Sequence, residues 1–160
     1  MRDPDWKKWE SDVAFMVDGD VVYASGSTDK FKGDVKTPEV LIDCKFTESS
    51  GYRLTDSMWK KLSLWARNES REPVVAVRVK GHRGCEVAVM DELFYDLISG
   101  IDTSSSEAPN EIGAKGRVIG YRMDMRPPTV IWIGRRRLVA CSMESFAEML
   151  WEWRSKSEDK

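Results

Sequence analysis

Two short runs rich in apolar and β-branched residues, 40–46 and 74–79, must be buried for this chain to fold at all. The second has the composition of a strand in the centre of a sheet, apolar on both faces. The first is bounded by Pro38 before it and by the polar stretch 47–51 after it. Between the two, Thr55 can cap a helix whose one face carries Met58, Leu62, Trp65 and Ala66. Strands separated by a helix of this kind belong to a layered α/β or α+β domain with a mixed sheet.

The remaining segments extend that plan. Asp3-Pro4 opens a helix, with Trp6, Trp9, Val13 and Met16 on one face and a stop at 18–20. A short β-prone run covers 21–24, followed by a polar loop at 25–33. A strand at 85–89 follows a turn at 81–84, and Asp91 caps a short helix through Ile98. The stretch 99–116 is expected to be a mobile loop within a single domain spanning 1–160. Strands are expected at 118–123, 129–133 and 138–141, the last two joined by a hairpin turn at 134–136. Ser142 then caps a final helix carrying Phe146, Met149, Leu150 and Trp153.

Composition narrows the function classes. With 160 residues, 41% of them hydrophobic, the chain can enclose one core. No apolar run approaches the roughly 20 residues of a membrane span. The first ten residues lack a signal-peptide core, so a protein that is cytoplasmic in whatever cell makes it is expected. Cys44, Cys85 and Cys141 are odd in number and widely spaced, which fits neither a disulfide framework nor a zinc site. His82 is the one histidine, so a His-rich metal site is impossible, and a surface position is the simplest reading of it. The formal net charge of -2 is unlike that of a typical nucleic-acid binder. Yet positive charge is clustered at Lys30 and Lys32, at Lys60 and Lys61, at 78–83 and at Arg135, Arg136 and Arg137. A protein that holds cations with carboxylates also carries an acidic cluster of its own.

The first β run contains the chemistry. Side chains alternate across a strand, so Asp43 and Lys45 share a face with Leu41 and Thr47, while Ile42, Cys44 and Phe46 take the other. Two charges inside an apolar strand are costly unless paired or metal-bound. Asp34 lies upstream of a turn at Thr37-Pro38, and a hairpin there would set it beside Asp43. The spacing (D/E)xK occurs four times, ending at Lys7, Lys36, Lys45 and Lys160. Only the one ending at Lys45 sits in an apolar β run with an acid one turn upstream. On spacing alone, an edge-strand ion pair without function explains the tripeptide equally well.

The stretch Gly33-Asp34-Val35, then Ile42-Asp43-Cys44-Lys45-Phe46-Thr47 and Tyr52, resembles the core motif of PD-(D/E)xK nucleases. It looks most like the Holliday junction resolvase branch, which includes small phage-encoded members. Trp9-Glu10 is similar to an aromatic-Glu pair of that family, and Ser25-Gly26-Ser27 resembles its serine-containing loop. The stretch 71–78 resembles the strand after its second helix. The likeness runs from about Trp6 to Val89, and Gly33 stands where the motif has proline.

The resemblance implies a restriction-endonuclease-like α/β core, a central mixed β-sheet flanked by helices. It implies a homodimer that cuts four-way DNA junctions with Mg²⁺ or Mn²⁺. Asp34 and Asp43 would be metal ligands with the Cys44 carbonyl, and Glu10 a further ligand, directly or through water. Lys45 would orient or deprotonate the attacking water, or stabilise the transition state. Ser25, Ser27, Lys30, Lys32, Thr47, Tyr52, Lys60, Lys61, Arg135, Arg136 and Arg137 are the candidate DNA contacts. For most of these an ordinary loop, packing or solvated role stands beside the functional one. Trp6, Trp9, Trp59 and Trp65 fit helical apolar faces, as core or as dimer interface. Trp151 and Trp153 lie two apart and cannot both face a core, which suggests an interface. The alternatives are a related nuclease acting on flap, single-stranded or duplex DNA, and a non-catalytic DNA-binding protein that keeps a relic fold.

Overall fold

The computed structural model describes residues 4–22, 34–49, 51–80, 85–102, 111–113, 117–120 and 128–158. The first helix, α1 (Asp5–Val17), begins after Pro4, whose carbonyl accepts from the amides of Lys7 and Lys8. The expected cap Asp3 lies outside the described residues. The helix ends where expected, with Asp18 itself in the left-handed region (φ 53°) and the Gly19 amide donating to the Ala14 carbonyl. Gly19 is needed for closeness: a Cβ there would lie 2.8 Å from the Lys36 carbonyl oxygen.

Next come β1 (Asp20–Val21), β2 (Val35–Lys36), β3 (Val40–Thr47) and β4 (Gly51–Leu54). The helix α2 (Asp56–Asn68) follows, with the Met58 amide donating to the Thr55 hydroxyl at 3.4 Å, the cap read from the sequence. Then β5 (Glu72–Val79), β6 (Cys85–Asp91), α3 (Glu92–Ser99), β7 (Glu111–Gly113), β8 (Arg117–Gly120), β9 (Thr129–Ile133) and β10 (Arg136–Ser142) lead to α4 (Met143–Glu158). Ser142 caps α4 through the Ser145 amide at 3.1 Å.

Eight strands form one mixed sheet in the order β1-β2-β3-β5-β6-β10-β9-β7, and β4 pairs separately with β8. β3 and β5 are parallel because α2 carries the chain back across the sheet, whereas β5, β6, β10 and β9 are successive antiparallel neighbours. Strand alternation sends Val40, Ile42, Val74 and Ala76 into a core with α1, α3 and α4. Leu41, Val75, Val77 and Val79 enter a second core with Trp59, Leu62 and Ala66 of α2. The sheet is therefore covered on both faces, the α/β arrangement with a mixed sheet flanked by helices that was expected. Among the described residues, no helix is long and apolar enough to cross a membrane.

Several expectations need correction. β2 and β4 are too short and too polar to announce themselves. The segment expected as one mobile loop, 99–116, contains β7, paired in parallel with β9; residues 103–110 and 114–116 lie outside the described set. Of the run at 21–24, Val21 is strand and Val22 is not, and residues 23–24 lie outside the described set. Trp9 and Trp59 are fully buried, so Trp9 is core and is not available to an interface. Trp6 and Trp151 instead stand 52% and 63% exposed. Trp153 turns inward and meets Phe94 edge to face, so the pair two residues apart does split between surface and core.

Candidate active site

The site is built on the β2–β3 hairpin. Its turn is closed by Thr37, which is buried: the Thr37 amide donates to the Val40 carbonyl, and the amides of Glu39 and Val40 donate to the Thr37 hydroxyl. Side-chain capping of this kind is why a Thr-Pro pair makes a turn here. Val35 faces Ile42 and Lys36 faces Leu41, so the next positions outward set Asp34 against Asp43. The Asp34 amide donates to the Ile42 carbonyl at 2.8 Å, and the Cys44 amide donates to Asp34 Oδ2 at 2.7 Å. The hairpin thus unites two acids nine residues apart, as the sequence led one to expect.

Glu10 arrives from α1. The neighbouring Trp9 is sealed in the core and its indole donates to the Ala76 carbonyl of β5 at 3.1 Å. The Arg78 guanidinium lies 4.4 Å from the centre of the same ring. That anchorage brings Glu10 within hydrogen-bonding reach of Asp34. Burial, then the Asp34 charge, raises the Glu10 carboxyl to about 7.

Asp43 is 5% exposed, and its Oδ1 is buried with no hydrogen-bond partner among the described residues. Its Oδ2 is 3.4 Å from Lys45 Nζ. Burial raises the Asp43 carboxyl, Lys45 opposes that, and Asp34 adds to it. For Lys45, burial favours the neutral amine, but Asp43 outweighs it and keeps the pKa above the usual lysine value. Lys45 is therefore a cation at neutral pH, while Asp43, pushed up to about 7 chiefly by burial, is only partly ionised there.

The chain Glu10, Asp34, Asp43 presents only oxygen donors. Among the described residues, no three His, Cys, Asp or Glu side chains are already gathered into a ready metal cage. The Cys44 thiol lies with Ile42 on the other face of β3, where burial, then the charges of Asp34, Asp43 and Glu10, keeps it protonated. An orphaned Asp43 oxygen, and Glu10 and Asp43 carboxyls raised by burial and then by Asp34, are what a hard divalent cation would relieve, so the residues fit Mg²⁺ or Mn²⁺.

The other candidates divide. Ser25, Ser27, Lys30, Lys32 and His82 lie outside the described residues. Tyr52 sits beside Lys45 and Asp43, and its hydroxyl donates to the Met58 sulfur at 3.8 Å. The Thr47 hydroxyl is engaged with Ser49 at 2.7 Å in the β3–β4 turn. Lys60 pairs with Asp56 at 2.8 Å, and Lys61 is exposed beside it. In the β9–β10 hairpin, Arg135 is exposed, whereas Arg136 pairs with Asp56 at 3.3 Å and Arg137 with Glu92 at 2.5 Å. The competing Lys36 pairs with Glu69 at 2.6 Å, away from the acids. A hollow beside Phe46 is a different place: of its three cations, Lys8, Arg78 and Lys80, the last two are paired with Asp12, Glu86 and Asp5. Sequence reading missed Glu39, Arg71 and Arg154, which fix the turn of the hairpin; Arg154 lies 115 residues from its partner Glu39, and nothing local signals the link.

No family model and no curated protein matches the chain. A similar solved structure is that of Hjc, a Holliday junction resolvase from the archaeal hyperthermophile Archaeoglobus fulgidus. The likeness covers 88% of this chain and 98% of that one, at 13% identity and a TM-score of 0.42. A likeness of that degree assigns no residue a role, so the chemistry rests on the side chains themselves.

Proposed function

We propose that this chain is a divalent-metal-dependent DNA endonuclease of the PD-(D/E)xK type, acting on branched DNA such as four-way junctions. The observation that carries the reading is Asp34 set beside Asp43 by the β2–β3 hairpin, with Glu10 next to Asp34 and Lys45 next to Asp43. The choice of branched DNA rests on the likeness of the motif to that of Holliday junction resolvases.

In this reading Asp34 and Asp43 hold the ion, with the Cys44 carbonyl, and Glu10 completes the set directly or through water. A bound Mg²⁺ or Mn²⁺ would supply the charge that activates water and offsets the negative charge of the phosphorane. Lys45, kept cationic by Asp43, suits stabilisation of that same charge better than removal of a proton. Burial of Asp43 keeps competing water from its carboxylate, and the Cys44 amide fixes the Asp34 rotamer.

A second copy would supply the second cut in the opposite strand, since a closed two-fold dimer is the simplest symmetric assembly. Exposed Trp6, Phe15, Leu93, Leu97 and Trp151 support an interface. Cleavage assays on four-way, flap, single-stranded and duplex DNA with Mg²⁺ or Mn²⁺ test the proposal. Paired cuts in junctions that vanish in EDTA are expected. Cleavage of flaps, single strands or duplex alone would move the substrate, and full activity in EDTA would remove the metal mechanism.

A further inference from the structure

We propose that Arg154 of α4 is a positioning residue for the acid cluster, clamping the end of α1 to the turn of the β2–β3 hairpin. The inference rests on the metal-site reading above. Its basis is one guanidinium shared by two elements. Arg154 Nε donates to the Glu39 carboxylate at 2.8 and 3.0 Å, and Nη1 donates to the Val17 carbonyl at 2.7 Å.

The two elements joined are the ones that bear the acids. Val17 closes α1, which carries Glu10, and Glu39 lies in the turn of the hairpin that carries Asp34 and Asp43. Seven residues of helix at 1.5 Å each set the clamp about 10 Å from Glu10. The acids lie toward one end of this α1–hairpin pair and Arg154 ties the other. The closeness of Glu10 to Asp34 therefore depends on an angle that Arg154 helps to set.

The contact is shielded, with the Arg154 and Glu39 side chains 18% and 19% exposed, unlike a screened surface pair. Burial pushes the Glu39 carboxyl up, but hydrogen bonds from Arg154 and Thr37 hold it below the usual range, so the pair is ionised at neutral pH. The Val17 carbonyl is among the helix-end acceptors without an intrahelical partner, and a cation there also suits the helix dipole. The rest of the turn is held independently: Arg71 donates to the Thr37 carbonyl at 2.7 Å, and the Glu72 amide donates to the Glu39 carbonyl at 2.9 Å. Arg154 thus joins the turn to the last carbonyl of α1 through side-chain bonds, alongside the backbone pairing of β1 with β2. A lysine cannot replace it, because a single ammonium on a flexible stem lacks the planar fork that spans both acceptors.

Calorimetric titration of the full chain with Mn²⁺, with thermal melts alongside, separates positioning from simple stability. Arg154→Lys keeps a cation beside Glu39 and is expected to melt within a few degrees of wild type, yet to bind Mn²⁺ about tenfold more weakly or worse, as loss of an outer-shell support does. Glu39→Gln, which removes the charge and one of the two acceptor oxygens from the other half of the clamp, is expected to weaken Mn²⁺ in the same direction, and it serves if Arg154→Lys does not fold. Ser142→Ala loosens the start of α4 without touching the clamp and is expected to lower the melting midpoint with Mn²⁺ affinity intact. Folded Arg154→Lys and Glu39→Gln proteins that bind Mn²⁺ like wild type would overturn the positioning role and leave the metal site standing. Equal loss of affinity in Ser142→Ala would also overturn it, in favour of general loosening of α4. A wild-type chain that binds no Mn²⁺ would overturn the metal reading, and the positioning role with it.

Discussion

Two hairpins of the sheet, β2–β3 and β9–β10, use charge in opposite ways. β2–β3 gathers Asp34 and Asp43 and draws in Glu10; Lys45 stands against Asp43 and Lys7 against Glu10, and one Asp43 oxygen has no hydrogen-bond partner among the described residues. β9–β10 gathers three consecutive arginines, but Arg136 and Arg137 are matched by Asp56 and Glu92 within the chain. A hairpin with two of its three cations ion-paired to α2 and α3 is largely a structural device. One whose charges are buried, mutually repelling and under-compensated has a stability cost, and such sites are commonly functional. Charge density in the sequence is similar in the two places; its accounting in three dimensions is not.

The comparison breaks most visibly at the acids. Asp43→Asn is expected to lower cleavage by at least about 10²-fold while DNA binding persists or tightens, because a charge facing phosphate is gone. Asp34→Asn should do the same, and the double variant should be little worse than either, since the two act as one unit. Wild-type rates in either variant would place the chemistry elsewhere.

Lys45→Ala should cost on the order of 10²-fold in single-turnover rate. Lys36→Ala, which removes only the Glu69 ion pair, should cost at most about 1 kcal/mol of stability and leave the rate near wild type. The reverse ranking would shift the motif to the Asp34–Lys36 tripeptide.

The pH dependence of stability sharpens the contrast next. The carboxyls of Glu10 and Asp43 titrate higher in the folded chain than in the unfolded one. Their neutral forms therefore stabilise the metal-free protein fully below about pH 4, the unfolded value. That stability is lost as pH rises toward about 7. Melts of metal-free protein should fall between pH 4 and 7 through these groups, and Mg²⁺ should restore stability above pH 7. Glu10→Gln should flatten part of the fall; an unchanged profile would detach Glu10 from the cluster.

The smallest effects belong to the basic hairpin. Arg137→Ala breaks a half-shielded pair with Glu92 and should cost about 1–2 kcal/mol in chemical denaturation, with DNA affinity little changed. Arg135→Ala, at an exposed tip, should leave stability alone and reduce the log-log salt slope of DNA binding by about 0.9 if it meets a duplex phosphate. An unchanged slope would remove this hairpin from the DNA interface.

The sequence by itself determined the elements with strong local signals and the face each residue takes. Apolar β runs placed β3 and β5, hydroxyl caps at Thr55 and Ser142 started α2 and α4, and period-two alternation put Asp43 and Lys45 on one side of β3. A turn at Thr37-Pro38 was enough to set Asp34 opposite Asp43. Short strands escaped because β2, β4 and β7 hold two to four residues each, and β4 takes its partner β8 from far along the chain. Only tertiary structure decided which charges are spent. Arg136 and Arg137 read as free cations until Asp56 and Glu92 meet them, and Trp9 read as core or interface until β5 closed over it. The same holds for Arg154 and Glu39, 115 residues apart. Local propensity acts over a few residues, whereas desolvation and ion pairing depend on distance in space, which a linear pattern does not encode.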